Sequence, residues 1–263
     1  MKKTLLLLCT LYSVFCFSQY TNPVASKMGT QFIQADKYIG EDAYGSQYFI
    51  KDNALFKKNK EIFLQYKNIS LGKITRVDLQ NPLRIAIFYQ DFNTIVALDN
   101  QLNEVQKTNI SEYLPTTTVS AVGVASQNNY WLFDMAAQQL HLFNYIKNTS
   151  QVIGNNLTKN IKDYGCDFNY FFWIDEDNKF YKSDIFGKKE YLGTIPQCDQ
   201  TFIFDDTLIL YKLQEKLYFF DIKQSKSIPV KEVENSFKSF YYKNQNLAIF
   251  TSEGITNYKI NLP

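Results

Sequence analysis

Six times along the chain a short apolar run breaks at a tight polar turn and resumes as a second apolar run. The units read "YFIKDNALFKKNKEIFLQY" from Tyr48, "IAIFYQDFNTIVALDNQLNEV" from Ile85, "YWLFDMAAQQLHLFNYIKNTSQV" from Tyr130, "FFWIDEDNKFYKSDIFGKKEYL" from Phe171, "LILYKLQEKLYFFDIKQSKSIPV" from Leu208 and "LAIFTSEGITNYKINL" from Leu247. Their starting points lie 37, 45, 41, 37 and 39 residues apart. Self-similarity at a period near forty marks a repeat architecture, in which one small unit buries its faces only against its neighbours.

The chemistry inside each unit is that of β-strands. Aromatic and branched residues form the first run, as in "YWLFD" and "LILYK". The break falls at Lys51-Asp52-Asn53, Asp91-Phe92-Asn93, Glu176-Asp177-Asn178, Gln214-Glu215 or Ser252-Glu253-Gly254, residue types that adopt left-handed backbone angles or bond their own main chain. The second run closes on Asp99, Asn144, Asp184 or Asp221, and a weaker polar strand such as "EIFLQY" or "KKEYLG" follows. "NIS" at Asn68 and Asn109 and "NLT" at Asn156 come just after that strand, and the link to the next unit holds a fourth apolar segment, such as "FIF" at Phe202–Phe204 or "FYY" at Phe240–Tyr242. No helical periodicity is sustained beyond the N-terminus.

Four short strands per forty residues, repeated radially, predict an all-β, six-bladed β-propeller with four-stranded blades. Continuous apolar runs such as "KLYFFDI" fit strands covered on both faces. A two-layer sandwich also has short strands at regular spacing, but it does not require a sixfold echo. The last unit stops soon after "TNYKI", so its outer strand has to come from elsewhere. The expected donor is "TQFIQA", Thr30 to Ala35, which would close the ring by joining the two ends of the chain and cover an open ladder edge.

The phrases "TIVALDNQLNEV" and "KLYFFDIKQSKSI" resemble the repeats of the broad PQQ-like, YVTN and WD40-like propeller group, in which an L-Y-x-x-D strand precedes a polar turn. The resemblance spans residues 19–263 and implies a fold, not a function. The Thr-Gly turn and tryptophan of quinone-binding blades, the WD dipeptide and the sialidase box are all missing.

The opening "MKKTLLLLCTLYSVFCFSQ" has a positive start, an apolar core too short for a comfortable membrane span and a small residue at Ser18. Residues 1–18 are expected to be a signal peptide and residues 19–263 one propeller domain, exported to the periplasm or beyond. A lipoprotein anchored at Cys16 is disfavoured because Phe15 stands where a small residue is required. No membrane span remains once the signal is removed. The balance then becomes 26 basic against 26 acidic side chains, which gives no footprint for nucleic acid. Only Arg76 and Arg84 are arginines, so bidentate clamps for carboxylate or phosphate are scarce.

Candidate chemistry is thin. His141 is the only histidine and lies inside the strand "QLHLFNY", which precludes a histidine-rich zinc site and suits a core or edge role. Cys166 and Cys198 precede or open the inner strands of adjacent blades; an oxidising compartment permits a disulfide between them, with two separate thiols as the alternative. "DEDN" (Asp175 to Asn178) and "FDD" (Asp205, Asp206) lack the spaced glycine and final glutamate of a calcium loop and read as hairpin turns. No catalytic, cofactor-binding or metal residues are assigned, and no cofactor is expected. The reading is an exported, non-catalytic scaffold that binds another envelope protein, with "NISEYLPTTT" (Asn109 to Thr118) and "NNLTKNIKDYG" (Asn155 to Gly165) at one rim as contact loops. The alternatives are a metal-dependent hydrolase of lactonase type, with acids and amides converging on a channel-bound cation, and a carbohydrate-binding module with aromatic platforms on one face.

Overall fold

Strand β1 (Ala25–Gln31) comes first in the chain yet belongs to the last sheet. Blade 1 follows as β2 (Lys37–Glu41), β3 (Gln47–Lys51), β4 (Ala54–Lys58) and β5 (Phe63–Tyr66). Blade 2 is β6 (Arg76–Asp78), β7 (Ile85–Tyr89), β8 (Thr94–Leu98) and β9 (Glu104–Asn109), and a one-turn helix α1 (Ile110–Tyr113) leads out of it. Blade 3 is β10 (Val119–Ala125), β11 (Asn129–Asp134), β12 (Gln139–Asn144) and β13 (Thr149–Ile153). Blade 4 is β14 (Ile161–Cys166), β15 (Tyr170–Asp175), β16 (Lys179–Asp184) and β17 (Lys189–Thr194). Blade 5 is β18 (Gln200–Ile203), β19 (Leu208–Leu213), β20 (Lys216–Asp221) and β21 (Lys226–Pro229). Blade 6 is β22 (Ser239–Lys243), β23 (Asn246–Phe250), β24 (Ile255–Ile260) and, outermost, β1. The six four-stranded antiparallel sheets make a six-bladed β-propeller. The structure is a computed structural model and describes residues 23–234 and 236–260; the signal-peptide and Cys16 readings lie outside these residues.

The apolar runs divide their side chains between two interfaces. In β7, buried throughout, Ile85, Ile87 and Tyr89 pack with blade 1, while Ala86 and Phe88 pack with blade 3. This alternation explains why the run carries no polar residue: both of its faces are covered. Apolar clusters of the same kind join blades 3 and 4 through Trp131 and Trp173, 4 and 5 through Ile174 and Ile209, 5 and 6 through Phe219 and Leu247, and 6 and 1 through Phe250 and Phe49. Each such buried aromatic or aliphatic side chain contributes about 1.5–3 kcal/mol.

The polar punctuation has a structural cause at every repeat. Positive φ occurs at Asp52, Asn53, Asn93, Gln138, Asn178 and Gln214, all in the turns between second and third strands. In blades 2 to 5 the aspartate or asparagine that closes the third strand accepts backbone N–H bonds from the next turn. Asp99 accepts from Gln101 and Asn103 at 2.8 Å, Asn144 from Ile146 and Lys147 at 3.2 and 2.9 Å, Asp184 from Phe186 and Lys188 at 2.9 Å, and Asp221 from Gln224 at 2.9 Å. The recurring phrase is therefore a hairpin with an internal turn cap. The later asparagines act similarly: Asn68 accepts from Ser70 N at 3.0 Å, and Asn109 caps α1 by accepting from Ser111 N at 3.0 Å.

Two expectations are corrected. The sequence units begin at the second strand of each blade, so they run one strand out of phase with the sheets. The closing strand is Ala25–Gln31, earlier than the expected Thr30–Ala35; only Thr30 and Gln31 belong to it. Ala25 pairs with Ile260 and Gln31 with Ile255. Phe32 to Ala35 instead form the link into blade 1, because β2 begins at Lys37.

Candidate functional site

The six innermost strands surround the propeller axis, which has two ends. Their N-terminal ends, together with the links between blades and the turns between second and third strands, form one face, the link face. The hairpins joining first to second strands surround the axis at the opposite face, the hairpin face.

Charge gathers on the axis toward the link face. Arg76, at the start of β6, reaches past blade 3 to blade 4, where its guanidinium lies 4.5 Å from the centre of the Tyr164 ring and donates to the Tyr164 carbonyl at 3.5 Å. Asp163, on β14, accepts from the Thr201 hydroxyl of β18 and from the Tyr164 N–H at 2.8 Å. Burial raises the Asp163 pKa, a shift that the Thr201 bond and Arg76 oppose. Lys37, at the start of β2, has its pKa lowered by burial first and then by the Arg76 charge. Burial also opposes the charge on Arg76, and Tyr164, Cys166, Asp163 and Asp78 around it more than offset that effect.

Toward the hairpin face Asp78, Gly123 and Cys166 meet. Asp78 Oδ2 accepts from Val124 N at 2.8 Å and from the Cys166 thiol at 3.7 Å, and Oδ1 accepts from Gln80 N at 2.8 Å. Burial, reinforced by Asp78, pushes the Cys166 thiol well above its usual range, so it is a poor nucleophile. Cys166 and Cys198 are both free thiols, and the disulfide considered from sequence does not form in this structure. The physical reason is position. Cys166 ends β14 and packs with the blade 3–4 cluster, whereas Cys198 precedes β18 and packs with the blade 4–5 cluster. They occupy opposite ends of their inner strands rather than comparable places.

The hairpin face presents a ring of apolar side chains. Four of the six inner hairpins carry one at the tip: Tyr44, Leu83, Phe168 and Phe204, exposed by 71%, 60%, 41% and 43%. Each of these tips is held by an Asx oxygen. Asp42 accepts from Tyr44 N and Ser46 N at 2.8 and 2.9 Å, and Asn81 from Leu83 N at 3.1 Å. Asp167 accepts from Asn169 N and Tyr170 N at 2.7 Å, and Asp205 from Thr207 N and Leu208 N at 2.7 and 3.0 Å. The Phe168 carbonyl also accepts from Ser126 N of blade 3 at 2.7 Å. The remaining two hairpins turn tightly through Gln127-Asn128 and Asn244-Gln245, all at positive φ. Between blades 6 and 1 a polar cleft of about 100 Å³ opens on this face, lined by Glu41, Gly45, Lys243, Asn244 and Asn257 among others. Lys243 donates to the Glu41 carbonyl at 3.2 Å, and burial raises the Glu41 pKa against the pull of that ammonium.

The other residues singled out by sequence lie away from the axis. His141 sits in the third strand of blade 3 with Nδ1 3.0 Å from Ser150 Oγ, and burial lowers its pKa. Asp175 spends its oxygen on Asp177 N and Lys179 N at 2.9 and 2.8 Å, as the hairpin reading of "DEDN" requires. Among the described residues no three His, Cys, Asp or Glu side chains come together as a metal-ligand group. Asn109–Thr118 and the first half of Asn155–Gly165 form links on the link face, but Ile161–Gly165 already belong to β14. Sequence reasoning missed the hairpin ring, because Tyr44, Leu83, Phe168 and Phe204 share no motif. It also missed the axial role of Arg76, whose rarity as one of two arginines was the available signal.

No family model matches the sequence, and no characterised protein aligns with it by sequence. Solved structures do share the fold. A streptogramin B lyase aligns over 92% of this chain and 99% of its own, with a TM-score of 0.59 and 11% identity. A gluconolactonase from Xanthomonas campestris aligns over 88% and 89%, with a TM-score of 0.59 and 10% identity. The extracellular domain of a hybrid two-component system from B. thetaiotaomicron covers 87% of this chain and 34% of that one, with a TM-score of 0.55 and 10% identity. The repeats thus form the propeller that their resemblance implies, and at such identities the likeness speaks for the fold alone.

Proposed function

We propose that the chain is an exported, non-catalytic β-propeller that binds another protein of the bacterial cell envelope through its hairpin face. The observation that carries this reading is the set of four exposed apolar tips, each on a turn already fixed by its own Asx hydrogen bonds. Large side chains on rigid supports bind with little entropic cost, and such residues dominate interface energetics. Export is supported by the N-terminal sequence pattern and by fold likeness to one extracellular domain. No helix among the described residues is long and apolar enough to cross a membrane.

Two of the three similar structures described above are enzymes, so the lactonase-type alternative needs a physical test. A channel-bound cation wants carboxylates and amides converging on one point. The axis here carries Arg76 and Lys37 with two carboxylates, Asp163 turned to Thr201 and Asp78 to Val124 N, Gln80 N and the Cys166 thiol, and among the described residues these do not come together as a metal-ligand group. A carbohydrate module would also use aromatic tips, but it needs free carboxylate and amide oxygens beside them. At these tips both oxygens of Asp42, the Asn81 oxygen and one oxygen each of Asp167 and Asp205 are engaged, and Leu83 is aliphatic.

Envelope extract passed over immobilised wild type, and over a variant with Tyr44, Leu83, Phe168 and Phe204 all changed to Ser, tests the proposal. One protein retained by the first and lost by the second supports it. Equal retention by both, or stoichiometric calcium in the purified protein, refutes it.

A further inference from the structure

We infer that the cleft between blades 6 and 1 binds a small zwitterion, a free α-amino acid being the simplest, with Glu41 taking its ammonium and Lys243 its carboxylate. The cleft lies where the ring closes. Strand β2 bulges between Tyr38 and Gly40, and a Cβ on Gly40, at φ +143°, would strike the Tyr241 ring. Glycine there lets the ring lie against β2. The Tyr241 hydroxyl then donates to the Glu41 carbonyl at 3.2 Å, and Lys243 donates to the same oxygen at 3.2 Å. These bonds tie the Glu41 backbone to blade 6 and leave its carboxylate over. Ala248 and Asn257, paired in β23 and β24, line the same space of about 100 Å³, room for several waters or one small molecule.

The polar groups around that space are not spent on one another. Among the described residues the half-buried Glu41 carboxylate accepts no hydrogen bond and makes no ion pair within 4.0 Å. Its Oε1 lies toward Gly45, on the cleft wall. Tyr38 is only 5% exposed, yet its hydroxyl has no partner among the described residues and is not sealed from solvent. The half-buried Asn257 amide is equally unbonded. Asp42, by contrast, lines the cleft with both oxygens engaged and Lys57 as its counter-charge. Burial without a partner is costly for a polar side chain, and a ligand that supplies the missing bond removes the cost. Glu41 and Lys243 attract each other across the cleft without touching, against the burial that raises the Glu41 pKa. One charge of each sign favours a ligand that carries both, because a simple anion or cation would face one like charge. The Tyr38 hydroxyl and the Asn257 amide remain for a polar side chain.

None of the four apolar tips lines this cleft, so either assignment can fail alone. The experiment is thermal unfolding of the purified protein with each common L-amino acid, followed by calorimetric titration of those that stabilise it. The N-acetyl and amide derivatives of the same amino acids, and glucose, serve as controls at matched ionic strength. Saturable binding of at least one amino acid is expected, with each singly charged derivative weaker by about tenfold, the loss of one charge-assisted contact. Glu41→Gln and Lys243→Gln should each weaken binding to about the same extent. Tyr38→Phe should keep the thermal midpoint of wild type, since its hydroxyl has no bond to lose, and yet bind more weakly. A tyrosine serving only the fold would not show that split. Should Lys243→Gln fail to fold, Glu41→Gln and Tyr38→Phe carry the test. Absence of saturable binding by any amino acid, equal binding of the derivatives or of glucose, or unchanged affinity in Glu41→Gln overturns the inference.

Discussion

Cys166 Sγ occupies the space that a side chain on Gly123 would fill. A Cβ built on Gly123 collides with that sulfur and comes within 3.3 Å of Asp78 Oδ2. The pair fixes how closely the inner strands of blades 3 and 4 approach, and it packs a thiol against backbone.

Gly123→Ala is therefore expected to destabilise the fold by about 1–3 kcal/mol through overpacking. Cys166→Ala should recover most of that loss in the double variant, because it removes the atom that the new methyl meets. Denaturant unfolding of the two single variants and the double variant measures the coupling, and additive losses would disprove the contact.

The same burial predicts slow thiol chemistry. In the chain starting at Gln19, both cysteines should titrate as free thiols. Cys198, less enclosed and with its pKa raised chiefly by burial, should be alkylated before Cys166. Mass spectrometry after timed iodoacetamide treatment reads the order, and denaturant should make the two rates equal.

Ring closure depends on β1, whose residues Ala25 to Gln31 pair along β24. A chain beginning at Phe32 leaves the β24 ladder open and removes Ala25 from the blade 5–6 core. At about 1 kcal/mol for each lost hydrogen bond, the loss should amount to several kcal/mol. A synthetic peptide of residues 23–32 added in trans should restore part of it, as judged by the thermal midpoint.

Asp42 joins the hairpin ring to the core. Its side chain is fully buried, accepts from the Tyr48 hydroxyl at 2.9 Å and lies 3.8 Å from Lys57 Nζ, itself almost buried. Asp42→Ala strips the turn of its cap and leaves the buried Lys57 ammonium with the Asn100 carbonyl but no counter-charge, so a loss of about 3–5 kcal/mol is expected in urea unfolding. The Tyr44→Ser change, which touches only the exposed tip, should stay within about 0.5 kcal/mol of wild type.

His141 gives a pH dependence of defined sign. Its folded pKa is held below the ordinary 6.5, first by burial, with Asp134 opposing. Between the lowered folded value and 6.5 the unfolded chain binds more protons, so stability rises with pH across that window and is lost as pH falls through it. Unfolding measured from pH 7.5 to 5 should show a shallower acid limb in His141→Asn than in wild type.

The propeller was legible because its rules are local. A strand covered on both sides must read apolar throughout, as at Ile85–Tyr89, and a hairpin that must reverse needs an Asp or Asn at its corner, as at Asp99 and Asp184. The closing strand was misplaced for the converse reason. Six of the seven residues of β1 are exposed, so "ASKMGTQ" carries no alternating signal, whereas "TQFIQA" does carry apolar residues that the link buries in part. The cysteines were misread because equal distance from an apolar run does not reveal at which end of a strand a residue falls.

The sequence by itself determined the strands, their turns and the sixfold count, since these follow from side-chain and backbone preferences acting over a few residues. Only the tertiary structure decided that Arg76 meets Tyr164, that Cys166 rests on Gly123, and that Tyr44, Leu83, Phe168 and Phe204 surround one mouth. Those meetings depend on the rotation from blade to blade around an axis, which brings together residues far apart in the chain and is set by packing across all six interfaces at once.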